Sequence, residues 1–202
     1  MALLPFDVMA DLQESRQTFD AFIAAPRTKE LIEEAIAIMA DSMRAGGKVI
    51  SAGNGGSMCD ALHFAEELSG RYRDDRPALA AIAICDPSHL TCVGNDYGFD
   101  YIFSRFIEGV GAKGDVLLGI STSGNSRNII EACRASKDKG MKTICLLGKD
   151  GGKLKHDNLC DVPIVVPHMG YADRIQEVHT TIIHIFIRGL EALLVPQAQA
   201  QA

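Results

Sequence analysis

The chain has 202 residues, 47% apolar and 23% charged, which is room for one domain of ordinary size with a real core. Its 26 acidic against 20 basic residues leave a formal charge of −6; this speaks against a general nucleic-acid binder, which needs clustered Lys and Arg, but not against a small anionic ligand. The first residues carry Asp7 and Asp11 and no basic start, so they do not read as a signal peptide, and no apolar run approaches the roughly 20 residues of a membrane span.

Taken in chain order, residues 6–24 and 28–45 carry apolar residues at helical spacing. Pro26 separates them and Gly46-Gly47 follows, so they read as two helices ahead of the main core. Short, continuous apolar runs come next at 48–52, 79–84, 115–120, 142–147 and 162–166. Such runs suit strands of a parallel sheet buried on both faces. Helical stretches are predicted near 57–69, 100–110 and 126–139, and a last one over 172–194. The alternation predicts a doubly wound α/β domain of about five parallel strands, with ligands gathering where the chain leaves the strands. The whole chain reads as one domain: N-terminal helices over 1–45, an α/β core over 46–194 and a frayed tail over 195–202. The six cysteines form no CxxC pair and read as reduced thiols of a cytoplasmic protein, Cys59 as a small packing residue among them.

Two strand exits stand out: Gly53-Asn54-Gly55-Gly56-Ser57 and Ser121-Thr122-Ser123-Gly124-Asn125-Ser126. Each leads into a helix, whose N-terminal amides and dipole favour a phosphate, while glycines admit a close approach and hydroxyls add uncharged donors. Neither is a Walker A loop, since no Lys follows Gly56 or Gly124, and Met58 breaks the dinucleotide pattern. A tight turn with a serine cap would account for the first loop. Four hydroxyls in six residues exceed what one cap needs in the second. Phosphate held without Lys or Arg points to a sugar phosphate before a nucleotide.

His63 and Glu67 stand four apart on the helix after the first loop and share a face, a spacing that can seat a metal ion. It also recurs on ordinary solvated helices. The last helix offers Gln176, Glu177, His179 and His184. His184 sits in an apolar run, where a core imidazole bonded to a backbone group is the plain alternative to a ligand. If the two helices face each other, His63, Glu67, Gln176 and His184 could converge. Arg71, Tyr72 and Arg73 read as the close of the His/Glu helix, Asp173 as the cap of the last one, and His89 and His168 as loop residues.

Together the segments AGGKVISAGNGGS, DALHFAEELSGRY, VGNDYGF, GDVLLGISTSGNS, GMKTICLLGKDGGK and GYADRIQEVHTTIIH resemble the bacterial phosphoheptose isomerases of the sugar isomerase (SIS) superfamily, over about residues 30 to 190. The resemblance implies a flavodoxin-like αβα sandwich around five parallel strands, assembled as a homotetramer with active sites at subunit interfaces. It implies conversion of sedoheptulose 7-phosphate to D-glycero-D-manno-heptose 7-phosphate, on the way to activated heptose for lipopolysaccharide or other surface glycans. By motif, Ser57, Ser121, Thr122, Ser123 and Ser126 would bind the phosphate end, and Asn54, Gly55, Gly56, Asn95 and Asp96 would line the sugar. His63, Glu67, Gln176 and His184 match zinc-holding positions, Glu67 and Gln176 also contacting substrate. Glu67 and His184 match the acid–base pair. Two other classes compete: a non-catalytic SIS protein that docks on the replication initiator, and a sugar-phosphate-sensing regulator.

Overall fold

Five parallel strands, β1 (Val49–Gly53), β2 (Ala81–Ala83), β3 (Val116–Ser121), β4 (Lys142–Gly148) and β5 (Val162–Val166), pair in the order β2-β1-β3-β4-β5. The computed structural model describes residues 5–195, so the tail assigned to 195–202 lies, Val195 apart, outside the described residues. One row, Ala83, Ser51, Leu118, Ile144 and Val162, runs straight across the sheet. Successive strand residues face opposite sides. Val49, Val116 and Leu118 therefore enter one apolar cluster, and Ile50 and Leu117 the other.

The first cluster is closed by α2 (Thr28–Arg44), α3 (Gly56–Ser69) and α8 (Ala172–Leu194), with Phe22 added from α1 (Val8–Ala24). The second is closed by α4 (Pro87–Asp96), α5 (Ser104–Val110), α6 (Arg127–Asp138) and the short α7 (Gly152–His156). At the far edge, buried Asp115 accepts from Lys48 N at 3.0 Å, Ala112 N at 2.9 Å and Lys48 Nζ at 2.5 Å. This ties together the entrances of β1 and β3, at the edge away from the two loops.

Four expectations need correction. The run 79–84 yields only a three-residue edge strand, with Ile82 40% exposed; an edge has a neighbour on one side only. Residues 28–44 are not ahead of the core: α2 puts Ile32, Ala35, Met39 and Ala40 into it. Helix α4 was missed, although Asp86 caps it by accepting from His89 N at 2.7 Å and Pro87 opens it. His89 is thus helical. Cys133, Cys145 and Cys160 are buried, whereas Cys59 and Cys92 are exposed, so Cys59 is not a packing residue.

Candidate active site and metal centre

The strand order reverses direction between β1 and β3, and the chain leaves these two strands by the two glycine- and hydroxyl-rich loops. Side by side at the carboxyl edge, they form the switch-point crevice in which α/β sheets hold ligands. A reciprocal amide pair joins them: Asn54 Nδ2 donates to Asn128 Oδ1 at 2.9 Å, and Asn128 Nδ2 donates to Asn54 Oδ1 at 2.8 Å. Asn54 thus spends its side chain on the neighbouring loop. Asn128, buried in the first turn of α6, has no distinguishing pattern in the sequence and was not singled out there.

In the serine loop, the Ser121 and Ser126 hydroxyls bond each other at 2.9 Å. Ser126 occupies the N-cap of α6 yet makes no cap hydrogen bond, so its oxygen is not committed to the helix. Ser123 Oγ accepts from Asn125 N at 3.1 Å, and Thr122 and Ser123 are half-buried. Gly124, at φ +64°, lets the loop press on α7: a Cβ there would stand 2.0 Å from the Gly151 carbonyl oxygen. The nearest cation in sequence, Arg127, pairs with Asp100 at 3.2 Å. Hydroxyls and helix-start amides are the donors that the loop itself offers an anion.

Helices α3 and α8 lie side by side, and their contacts advance in the same direction along both. The Gln176 amide lies so close to Gly56 that a Cβ would meet its Nε2 at 2.6 Å; Thr180 Oγ1 donates to Asp60 Oδ1 at 2.9 Å; His63 Nε2 stands 2.9 Å from His184 Nε2. Burial raises the Asp60 carboxyl above its ordinary value, against the Thr180 bond and the His63 charge, and its Oδ2 has no partner. Glu67 Oε1 is 3.8 Å from His63 Nε2, and one ligand atom from each of His63, Glu67 and His184 falls within 4.8 Å of the others.

Two imidazole nitrogens and a carboxylate oxygen this close together suit zinc or a similar divalent cation, and three protein ligands leave a position open. The Glu66 carboxylate 3.0 Å from His63 Nδ1 orients that ring, as carboxylates do behind metal-bound histidines. The Tyr72 ring stacks on His184, centroids 5.7 Å apart. Within this chain, then, His63, Glu67 and His184 come together. Gln176 sits two turns of α8 away, beside Gly56 and the half of the site near buried Ser57. Asn95 and Asp96 end α4, exposed, Asn95 Nδ2 donating to Asp96 Oδ1 at 2.7 Å; no bond joins them to either loop among the described residues.

Other sequence readings change. Arg71 and Arg73 do not close α3; the buried guanidinium of Arg76 does, donating to the carbonyls of Glu67 and Leu68 at 2.6 and 2.8 Å. Asp173 lies inside α8 and Tyr171 holds the cap position. His168 Nδ1 is bonded to Thr18 Oγ1 at 3.1 Å, and Glu177 to Ser15 Oγ at 2.7 Å, so both serve the docking of α1. A cavity of about 620 Å³ between the α1–α2 turn and β5, lined by Phe22, Leu31, Lys149 and Ile164 among others, includes none of these site residues.

The SIS domain model matches residues 12–148. The phosphoheptose isomerase of Vibrio cholerae is 59% identical over 184 residues, 91% of this chain and 95% of that protein. That of Aeromonas hydrophila is 60% identical over 181 residues, 90% and 93% of the two chains. Among solved structures, the phosphoheptose isomerase from Neisseria gonorrhoeae superposes with a TM-score of 0.82 at 40% identity, over 92% of this chain and 97% of that one. The one from Francisella tularensis gives 0.85 at 35% identity, over 92% and 96%. With its strand order, its two switch-point loops and these relatives, the chain belongs to the SIS family and, within it, to the phosphoheptose isomerases.

Proposed function

We propose that this protein is an aldose–ketose isomerase that interconverts sedoheptulose 7-phosphate and D-glycero-D-manno-heptose 7-phosphate, feeding the synthesis of activated heptose for lipopolysaccharide or other surface glycans in the cytoplasm. The observation that carries the reading is the placement of the His63/Glu67/His184 cluster on α3 and α8, on the same helix α3 whose start adjoins the hydroxyl-rich loop before α6. At about 1.5 Å per residue, His63 lies about 10 Å along α3 from Gly56, a separation suited to a substrate with its phosphate at one end and its carbonyl at the other. The non-catalytic alternative is not favoured: relatives at 56–60% identity carry the isomerase name.

In this reading Ser57, Ser121, Thr122, Ser123 and Ser126 hold the phosphate, and Gly55, Gly56, Asn95 and Asp96 line the sugar. Glu67 removes the C1 proton: the C1–H bond breaks, a C1=C2 bond forms, and the C2 oxygen takes a proton from His184. The resulting enediol collapses when Glu67 returns its proton to C2 and His184 recovers one from O1, leaving the aldehyde at C1. One zinc ion per subunit, held by His63, Glu67 and His184, would polarise the substrate oxygens, an effect of several kcal/mol in such sites; because a zinc-bound group cannot exchange a proton in the same geometry, either these ligands rearrange during turnover or the metal is partly structural. The working form is a homotetramer with sites at subunit interfaces; exposed Leu62 and Ile185, 40% and 42% accessible, flank the two histidines and await cover.

The test is turnover of sedoheptulose 7-phosphate by Glu67→Gln and His184→Gln, with assembly checked. General acid–base groups are worth about 10²–10⁴-fold, so kcat is expected to fall by at least about 100-fold in each. Near-normal turnover in Glu67→Gln would remove it from the base role. No turnover by the wild type, with or without added zinc, would return the protein to the binder class.

A further inference from the structure

We propose that Arg76 is a positioning residue that holds Glu67 and His184 in working register; the proposal rests on the reading of His63, Glu67 and His184 as a metal centre. Arg76 lies outside the motifs and touches none of the three side chains. Its own side chain is 2% exposed and pairs through Nε with Glu191 at 2.8 Å. Its Nη2 donates to the Glu67 carbonyl at 2.6 Å, and Nη1 to those of Leu68, Gly70 and Pro77 at 2.8, 3.3 and 3.2 Å.

The physical need is plain at the end of α3. The last carbonyls of a helix have no partner within it. Gly70 N–H returns to Glu66 O and Leu79 N–H donates to Leu68 O at 2.9 Å, which leaves the Glu67 carbonyl to Arg76, with Leu68 O shared. A guanidinium offers several donors in a rigid fork and a charge that complements the helix C-terminus. The other side of that fork reaches Glu191, seven residues beyond His184 on α8 and hence on nearly the same face. Arg76 therefore clamps the turn that carries Glu67 to the helix that carries His184. It also anchors the segment that lays Tyr72 over His184.

The experiment measures cobalt(II) binding and its visible spectrum, alongside steady-state kinetics with sedoheptulose 7-phosphate, for Arg76→Lys, Glu191→Gln and a control. Lysine keeps the charge but is a point donor that cannot fork to carbonyls and carboxylate together. Residues behind metal ligands typically alter affinity by about 10–100-fold. Both variants are expected to bind cobalt at least about tenfold more weakly with shifted bands, and to lose kcat while KM stays within about twofold. Lys48→Met, which breaks the remote pair with Asp115, is expected to lower the melting temperature without moving cobalt affinity or kcat.

The proposal is overturned if Arg76→Lys and Glu191→Gln both match the wild type within twofold, or if Lys48→Met loses cobalt by the same factor. Should Arg76→Lys fail to fold, Glu191→Gln decides alone. If the wild type takes no cobalt, the metal reading fails separately, and the clamp then stands only on a tenfold fall in kcat at constant KM.

Discussion

His179 shows what burial does to a single side chain in this protein. Its Nε2–H donates to the Leu147 carbonyl at 2.9 Å, Nδ1 has no partner, and burial pushes its pKa down to about 4. An imidazole in the unfolded chain titrates near about 6.5. Between these values the unfolded chain takes up a proton that the folded protein refuses. Stability is therefore complete above about pH 6.5 and falls as the pH drops towards 4, by on the order of 3 kcal/mol from this residue. Chemical denaturation at intervals across that window should show the wild type losing stability relative to His179→Gln on acidification. A constant difference would mean that His179 does not titrate this way. The plain alternative for His184, a core imidazole bonded to a backbone oxygen, thus describes His179. Spacing along α8 could not separate them, because the distinction is which neighbour each ring meets: the β4 carbonyl for one, His63 for the other.

At the scale of elements, the site is made where two pairs are brought together. The loops leaving β1 and β3 are joined by the Asn54–Asn128 amide pair, and α3 and α8 by the contacts from Gly56–Gln176 to His63–His184. The amide pair holds the two loops, the halves of the proposed phosphate cradle, in one arrangement. Asn128→Ala leaves Asn54 without its partner, and a lost buried hydrogen bond costs about 1–3 kcal/mol. KM for the sugar phosphate should rise by about tenfold with a smaller change in kcat, read from steady-state kinetics; an unchanged KM would remove the pair from the cradle. The loops themselves were legible in the sequence, because Ser121 to Ser126 are neighbours in the chain and their excess of hydroxyls is local. Asn128 was not, for a lone Asn in a first helical turn has many uses until its partner is seen. Nor was Arg76, one of several arginines after α3, only one of which is turned inward.

For the whole molecule, the strand order puts both loops at one edge and leaves apolar surface elsewhere. Phe6, Val8, Met9 and Leu12 near the N-terminus are exposed, as are Leu62 and Ile185 beside His63 and His184. Apolar groups flanking a site call for cover. Ile185→Glu would place a charge on that face; sedimentation is expected to give a smaller species than the wild type, with turnover reduced alongside. A variant that assembles normally and keeps full activity would clear this face of any role in assembly.

The sequence by itself determined the α/β class, the five strand runs, the two glycine- and hydroxyl-rich loops and the i, i+4 spacing of His63 and Glu67. All of these follow from local periodicity and turn chemistry, which a chain carries wherever it folds. Only the tertiary structure decided that His63 meets His184 across 121 positions, that Gln176 rests on Gly56, that α2 belongs to the core and that Arg76 rather than Arg71 or Arg73 closes α3. Contacts between distant residues depend on strand order and helix pairing, and the same local pattern is compatible with several of each. The sheet order chose one, and with it which imidazole meets His63 and which is a packed core residue bonded to the β4 carbonyl.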